Sequence, residues 1–380
     1  MNFTSEVLTN PVLITSNEEL IQLCSKWNSL SVLALDTEFI RIDTFFPKLG
    51  LIQVCDDGGS FLLDPLTLTD WAAFNAILSN TSITKVLHSC SEDLVVFKEF
   101  FGILPSPIFD TQKAAAFLGY GYSISYQNLV KATLKIEISK GETRSDWLRR
   151  PLSEEQLKYA ALDVAYLPEI YRILQGLLSQ KLRLSWLQAE CTEMVKSAIS
   201  EVSESDWESC YQNIGSAWKL DNYQLAILQR LCIWREKEAR KRDKPRSWIA
   251  KDSDLISLAE RTPRDRNSLL SISELSKFLI SRDSDTLLEI INTPHLEAPP
   301  KLTPIDLPLS AVLRGTLKKC QAVVQFKAEE LGIAPEMLAR KKQLVPLVIE
   351  LNKSRDFPWP DSLSGWRQPL LESAIRQALC

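Results

Sequence analysis

Asp36 and Glu38 end an apolar run, Val32, Leu33, Ala34 and Leu35, of the kind found in a strand buried on both faces. Residues i and i+2 of a strand point to the same side, so the two carboxylates project together with Thr37 turned away. Two unit charges about 4 Å apart repel by roughly 4 kcal/mol at an effective dielectric near 20. A bound divalent cation offsets that repulsion; solvation of both acids at the strand end is the alternative, so partners must come from elsewhere in the chain.

Two further clusters offer them. ITKVLHS, residues 83–89 with its Thr84–Lys85–Val86–Leu87 centre, reads as a strand followed at once by the helix SEDLVVFKEFFG, which places Asp93 in a first helical turn. An acid there also suits the helix macrodipole without any ligand. Ser153 and Gln156 form a capping box that starts a helix at Glu154 and puts Tyr159 and Asp163 four residues apart on one face. Taken alone, Tyr159 is a half-buried aromatic with a wet hydroxyl and Asp163 an exposed helix acid.

The elements that must position these groups follow in order. Ser16 and Glu19 signal a helix from Asn17 to about Trp27, ahead of the strand at 31–39. Pro47 and Gly50 punctuate a connection into LGLIQVCD, and Asp57-Gly58-Gly59 turns the chain into SFLLDP. Three strands joined this tightly form an antiparallel meander. After a short helix near Asp70–Leu78, alternation of strands and helices implies an α/β sheet with active groups at strand ends.

The chain's 380 residues allow two or three domains, and 45% hydrophobic with 24% charged residues is an ordinary soluble composition. No apolar run approaches the length of a membrane span, and the first residues lack a basic region followed by an apolar core, so neither a span nor a signal peptide is expected. Eight cysteines without a CxxC pair read as reduced cytosolic thiols, and only two histidines argue against His-based zinc chemistry. The net charge of −4 gives no global case for a nucleic-acid partner, yet Arg230–Lys251 carries nine Lys/Arg against three Asp/Glu.

Asp36-x-Glu38, Asp93 within LHSCSEDLVVF, and Tyr159-x-x-x-Asp163 resemble the three motifs of the DEDD exonuclease superfamily in its tyrosine-bearing subgroup. DTEFIRIDTFFPKLGLIQ, FDTQKAAAF, KGETRSDWLRRPL and YAALDVAYL are similar, closer still, to the ribonuclease D family over roughly residues 10–205. The resemblance implies a ribonuclease H-like exonuclease core with a mixed five-stranded sheet, three of its strands antiparallel. Implied too are 3′→5′ hydrolysis of RNA with release of nucleoside 5′-monophosphates and precursor tRNA 3′ ends as substrates.

Four carboxylates without histidine make an oxygen-only donor set, suited to Mg²⁺ or Mn²⁺. Two such ions about 3.5–4 Å apart can clamp a phosphodiester, one activating water and the other the departing 3′ oxygen. Asp36 is the natural bridging ligand; by carry-over from the motifs, Glu38 and Asp163 hold the ion nearer the nucleophile and Asp93 supports the second. Tyr159 can orient the attacking water. Gln53 and Arg144 are candidate phosphate or base contacts, His88 reads as a structural group, and Asp110 as a helix cap.

Beyond about residue 205 helical periodicity takes over, and the segment from Leu228 matches that from Leu317 at a period of 89: Leu228/Leu317, Ala239/Ala328, Ala250/Ala339, Leu255/Leu344 and Leu258/Leu347. Two related all-α bundles are expected, joined by the proline-rich stretch 293–308. The first, residues 220–263, resembles the helicase-and-RNase-D C-terminal (HRDC) domain, and the second is a diverged copy closing on SGWRQPLLESAIRQAL. The resemblance implies assistance in nucleic-acid binding, for which Arg240, Lys241 and Arg242 are candidates; a solvated charged helix is the alternative.

The division expected is an exonuclease domain over 1–208, a first HRDC domain over 209–295 and a second over 296–380. A cytoplasmic monomer acting on RNA, without membrane or obligate protein partner, is expected. A DNA exonuclease on the same core and a non-catalytic RNA-binding adaptor are the competing readings. The intact set Asp36, Glu38, Asp93, Tyr159 and Asp163 disfavours the adaptor.

Overall fold

The computed structural model describes residues 10–138, 145–200, 204–293, 302, 305, 307–354 and 357–379. β1 (Val12–Ile14) leads into α1 (Asn17–Trp27), and the expected meander follows as β2 (Val32–Ile40), β3 (Lys48–Asp56) and β4 (Gly59–Leu63). Then come α2 (Ala72–Ser79), β5 (Thr84–Leu87), α3 (Ser91–Phe101), β6 (Ile108–Asp110), α4 (Thr111–Phe117) and α5 (Tyr126–Leu134). The next helices are α6 (Glu154–Ala165), α7 (Leu167–Gln180) and α8 (Leu184–Ser200).

The strands lie in the order β1-β4-β3-β2-β5-β6, with β3 antiparallel to both β2 and β4 and the outer pairings parallel. The sheet is therefore six-stranded, where five were expected. The added strand is β1, three residues pairing Val12–Ile14 with Phe61–Leu63 at the edge, and only Ile14 is buried. So short a strand, with one inward residue, leaves no alternation to read.

β2 is central because Leu33, Ala34 and Leu35 are fully buried, covered from both sides of the sheet. The Ser153–Gln156 box closes in both directions and fixes where α6 begins. That helix lies over β2, β3 and β4, and Ala160 and Ala161 are completely enclosed, their small side chains letting its backbone approach the strands.

Two compact units divide the described chain: one takes the residues up to Ile40, Lys48–Ala198 and those from Leu309 on, the other Arg41–Pro47 and Ile199–Pro308. In the first unit the second helical module joins the sheet's own core: Ala334 and Met337 are buried in it. Trp366 stacks on Trp186 with centroids 4.8 Å apart, and Arg367 pairs with Glu190 at 2.8 Å.

The 89-residue repeat has a physical basis in each unit separately. All ten coincident positions are buried, from Leu228 and Leu317 to Leu258 and Leu347. Asn222–Lys241, Arg246–Ile249 and Asp252–Arg261 in one correspond to Ala311–Leu331, Pro335–Leu338 and Lys341–Lys353 in the other.

In the second unit Phe45 lies in the helical core, and the Asp243 carboxylate accepts from the backbone N–H groups of Phe45 and Phe46 at 2.9 and 3.0 Å. Arg240 is held between the rings of Phe45 and Trp207, 4.5 Å from each centroid, and donates to the buried Glu236 at 2.5 Å. Arg242 is bonded to Glu238 and to the buried Asp283 at 2.6 and 2.7 Å. These two, expected to meet RNA phosphate, are committed inside the bundle because they neutralise buried acids. Lys241 is the exposed member, 77% accessible and 3.9 Å from Glu238.

Arg240→Ala should therefore lower stability by about 1–3 kcal/mol, since Arg246 still covers Glu236, while Lys241→Ala stays within about 0.5 kcal/mol. Thermal melts of the full chain check this. Equal melting of the two variants would return Arg240 to the free surface.

Candidate active site

Asp36 and Glu38 stand on the same face at the end of β2, opposite Gln53 and Leu51 of β3, and a bulge follows between Glu38 and Phe39. Asp163 comes from α6. One oxygen each of Asp36, Glu38 and Asp163 lies within 4.8 Å of the others, all three side chains being partly exposed. Asp93, in the first turn of α3, completes the acidic group from the other side of β2: Thr37, turned away as expected, donates to it at 2.5 Å.

Electrostatics follow from that crowding. Burial first, then the charges of Asp93, Asp163 and Glu38, hold the Asp36 carboxyl well above the usual range. Glu38 is pushed up to about 8 by burial and by Asp163 and Asp93. Burial lifts Asp163 to about 7 against a hydrogen bond from Tyr159, and Asp93 to about 6 against the Thr37 bond. The Tyr159 hydroxyl is raised too, by burial and by Asp163, so it remains protonated and donates.

Four carboxylates that resist ionising together form a site with surplus negative charge and only oxygen donors. A hard divalent cation fits that donor set and a zinc-type nitrogen or sulfur site does not.

The remaining candidates are placed as follows. Gln53, expected to touch phosphate or base, is fully buried on β3 and cannot reach a substrate from there. Arg144 lies outside the described residues. His88 bonds Thr111 Oγ1 at 2.9 Å and the Ile124 carbonyl at 3.1 Å, and burial lowers its pKa, all consistent with a structural group. Asp110 caps α4 by accepting from Lys113 N and also accepts from Cys90 N, each at 3.0 Å.

Three supports were not read from the sequence. Thr37 orients Asp93, and its place between two acids was the available signal. Tyr126 donates to the Leu162 carbonyl at 3.0 Å and accepts from Tyr166 N at 3.1 Å, gripping α6 on either side of Asp163. Arg150 forms a bidentate pair with the buried Asp64, both contacts at 2.7 Å, and donates to the carbonyls of Gly50 and Trp147 at 2.7 and 2.9 Å. It thereby seats Trp147 against Tyr159, ring centroids 6.1 Å apart. Gly50 is required there: a Cβ on it would come within 2.7 Å of the Trp147 backbone oxygen.

A carboxylate cluster at the strand end of a mixed sheet, with a tyrosine one helical turn from its last acid, defines a metal-dependent phosphodiesterase site. The family model described as 3′–5′ exonuclease matches residues 11–179, that of the HRDC domain residues 224–291, and that of the ribonuclease D C-terminal HRDC domain residues 313–375. The chain is 41% identical to the ribonuclease D of Pseudomonas paraeruginosa over 370 residues, 96% of each chain. It is 37% identical to that of Haemophilus influenzae, over 96% of this chain and 91% of the relative. The crystal structure of Escherichia coli RNase D, described as an exoribonuclease involved in structured RNA processing, superposes with a TM-score of 0.88 at 35% identity, covering 97% of this chain and 98% of that one. The chain belongs to the ribonuclease D family of 3′–5′ exoribonucleases.

Proposed function

We propose that this chain trims the 3′ ends of structured RNAs, precursor tRNAs among them, releasing nucleoside 5′-monophosphates one at a time. The observation that carries the reading is the convergence of Asp36, Glu38 and Asp163 within 4.8 Å, with Asp93 near enough for its charge to raise the Asp36 carboxyl. Asp36 would bridge two Mg²⁺ or Mn²⁺ ions, Glu38 and Asp163 would complete one, and Asp93 would support the other. When bound, such ions supply charge neutralisation at the scissile phosphate and an acidified water.

The chain's own residues do the rest. Thr37 holds Asp93 in one rotamer, so that carboxylate loses little freedom on binding. Tyr159 keeps its proton and donates it in a hydrogen bond to Asp163, which leaves the hydroxyl oxygen to accept from, and so orient, an attacking water. Trp147 packs on the ring and limits its rotation. Tyr159→Phe should lower turnover by about 10²-fold at unchanged RNA and metal affinity. Single-turnover kinetics test this, and wild-type rates would remove the tyrosine from the mechanism.

The three sequence modules, 1–208, 209–295 and 296–380, would divide the labour between hydrolysis and RNA capture, in a cytoplasmic monomer. No helix among the described residues is long and apolar enough to cross a membrane. End-labelled precursor tRNA and matched RNA and DNA oligomers, with Mg²⁺, Mn²⁺ or chelator, test the proposal. Mononucleotide release from RNA 3′ ends only with metal is expected; equal cutting of DNA would favour the DNA exonuclease reading.

A further inference from the structure

Gln53 sits in the middle of β3 and pairs in register with Asp36 on one side and Leu62 of β4 on the other. Residues directly opposite on antiparallel strands share a face, with Cβ atoms about 4.5–5.5 Å apart. The amide is thus on the carboxylate face, beneath α6. It is fully buried, yet neither Oε1 nor Nε2 has a hydrogen-bond partner.

A buried polar group without a partner is costly, and Leu or Met would fill the same volume without that cost. Its neighbours on this face, Leu51 and Leu62, are apolar and also fully buried, so packing alone does not account for an amide. The polar group paired with it in register is Asp36.

Resting on the metal-site reading, we infer that Gln53 is a positioning residue: its amide N–H donates to Asp36 when that carboxylate turns to hold cations, fixing the shared ligand's orientation. The Asp36 carboxylate, in register directly opposite, is the acceptor that this amide otherwise lacks. Such outer partners of metal ligands typically govern affinity by about 10- to 100-fold.

The test uses the full-length, RNA-free protein and Mn²⁺ as probe. Gln53→Met should bind Mn²⁺ at least about 10-fold more weakly by titration calorimetry, while melting in chelator no lower than wild type, because an orphaned amide has been removed. A purely space-filling glutamine would leave Mn²⁺ affinity unchanged, and that result overturns the inference. Should the Met variant fail to fold, Gln53→Leu is read the same way. Absence of Mn²⁺ binding by the wild type overturns the metal-site reading itself, which separates the two failures.

Discussion

Asp36→Asn is expected to slow 3′-nucleotide release by about a thousandfold or more and to make the metal-free protein more stable. The first effect follows because the shared metal ligand would be lost. Metal ions contribute several kcal/mol to transition-state charge stabilisation, and about 1.4 kcal/mol is tenfold in rate. The second follows from the crowding of Asp36 by Asp93, Asp163 and Glu38, which an uncharged amide relieves by about 0.5–2 kcal/mol.

A pH dependence accompanies it. Without metal, the folded chain keeps protons on Asp93, Asp163 and Glu38 up to about 6, 7 and 8, whereas unfolded carboxyls release theirs near about 4. The folded state binds more protons in that interval. These groups therefore stabilise it fully below about pH 4, and the contribution is lost as pH rises to about 8. Divalent metal binds the deprotonated form, so the stability it adds grows with pH. Melts at pH 5.5 and 8 with chelator or Mg²⁺ should show opposite trends; parallel trends would mean that the acids do not share a cation.

Arg150→Met is expected to destabilise the protein by about 3–5 kcal/mol, the cost of leaving a buried charge unpaired, out of a typical total of about 5–15 kcal/mol. Asp64 is only 2% exposed and has Arg150 as its cationic partner, while the Gly50 and Trp147 carbonyls lose their donor at the same time. Adding Asp64→Leu should recover much of the loss, because the remaining charge is then gone. Denaturant unfolding of both variants measures the coupling, and an unchanged midpoint for Arg150→Met would show that the pair is solvent-screened. Activity well below the melting point should also fall, since Trp147 would no longer be seated against Tyr159.

What the sequence disclosed was periodic or local. Asp36 and Glu38 share a face because strands repeat every two residues, and Tyr159 and Asp163 because four residues make a helical turn. Both patterns survive folding unchanged. α1 runs from Asn17 to Trp27 as expected because its cap is encoded in Ser16. The fate of Arg240 was not legible: charge runs are read along the chain, while Phe45 and Trp207 reach it from elsewhere. Arg150 and Asp64 are 86 positions apart, beyond any local pattern. Gln53 looked like a surface contact because its burial depends on β4 and α6 closing over it.

The stacking of Trp366 on Trp186, together with the Ala334 N–H donating to the Ala116 carbonyl at 3.0 Å, separates ancestry from folding autonomy. The last seventy residues look like a portable duplicate, but part of the nuclease's hydrophobic interior is made of them. Truncating the chain ahead of Leu309 would bare Phe117 and Trp186 and invite aggregation. Domain-swap engineering must carry Ala334, Trp366 and Arg367 with any transplanted tail.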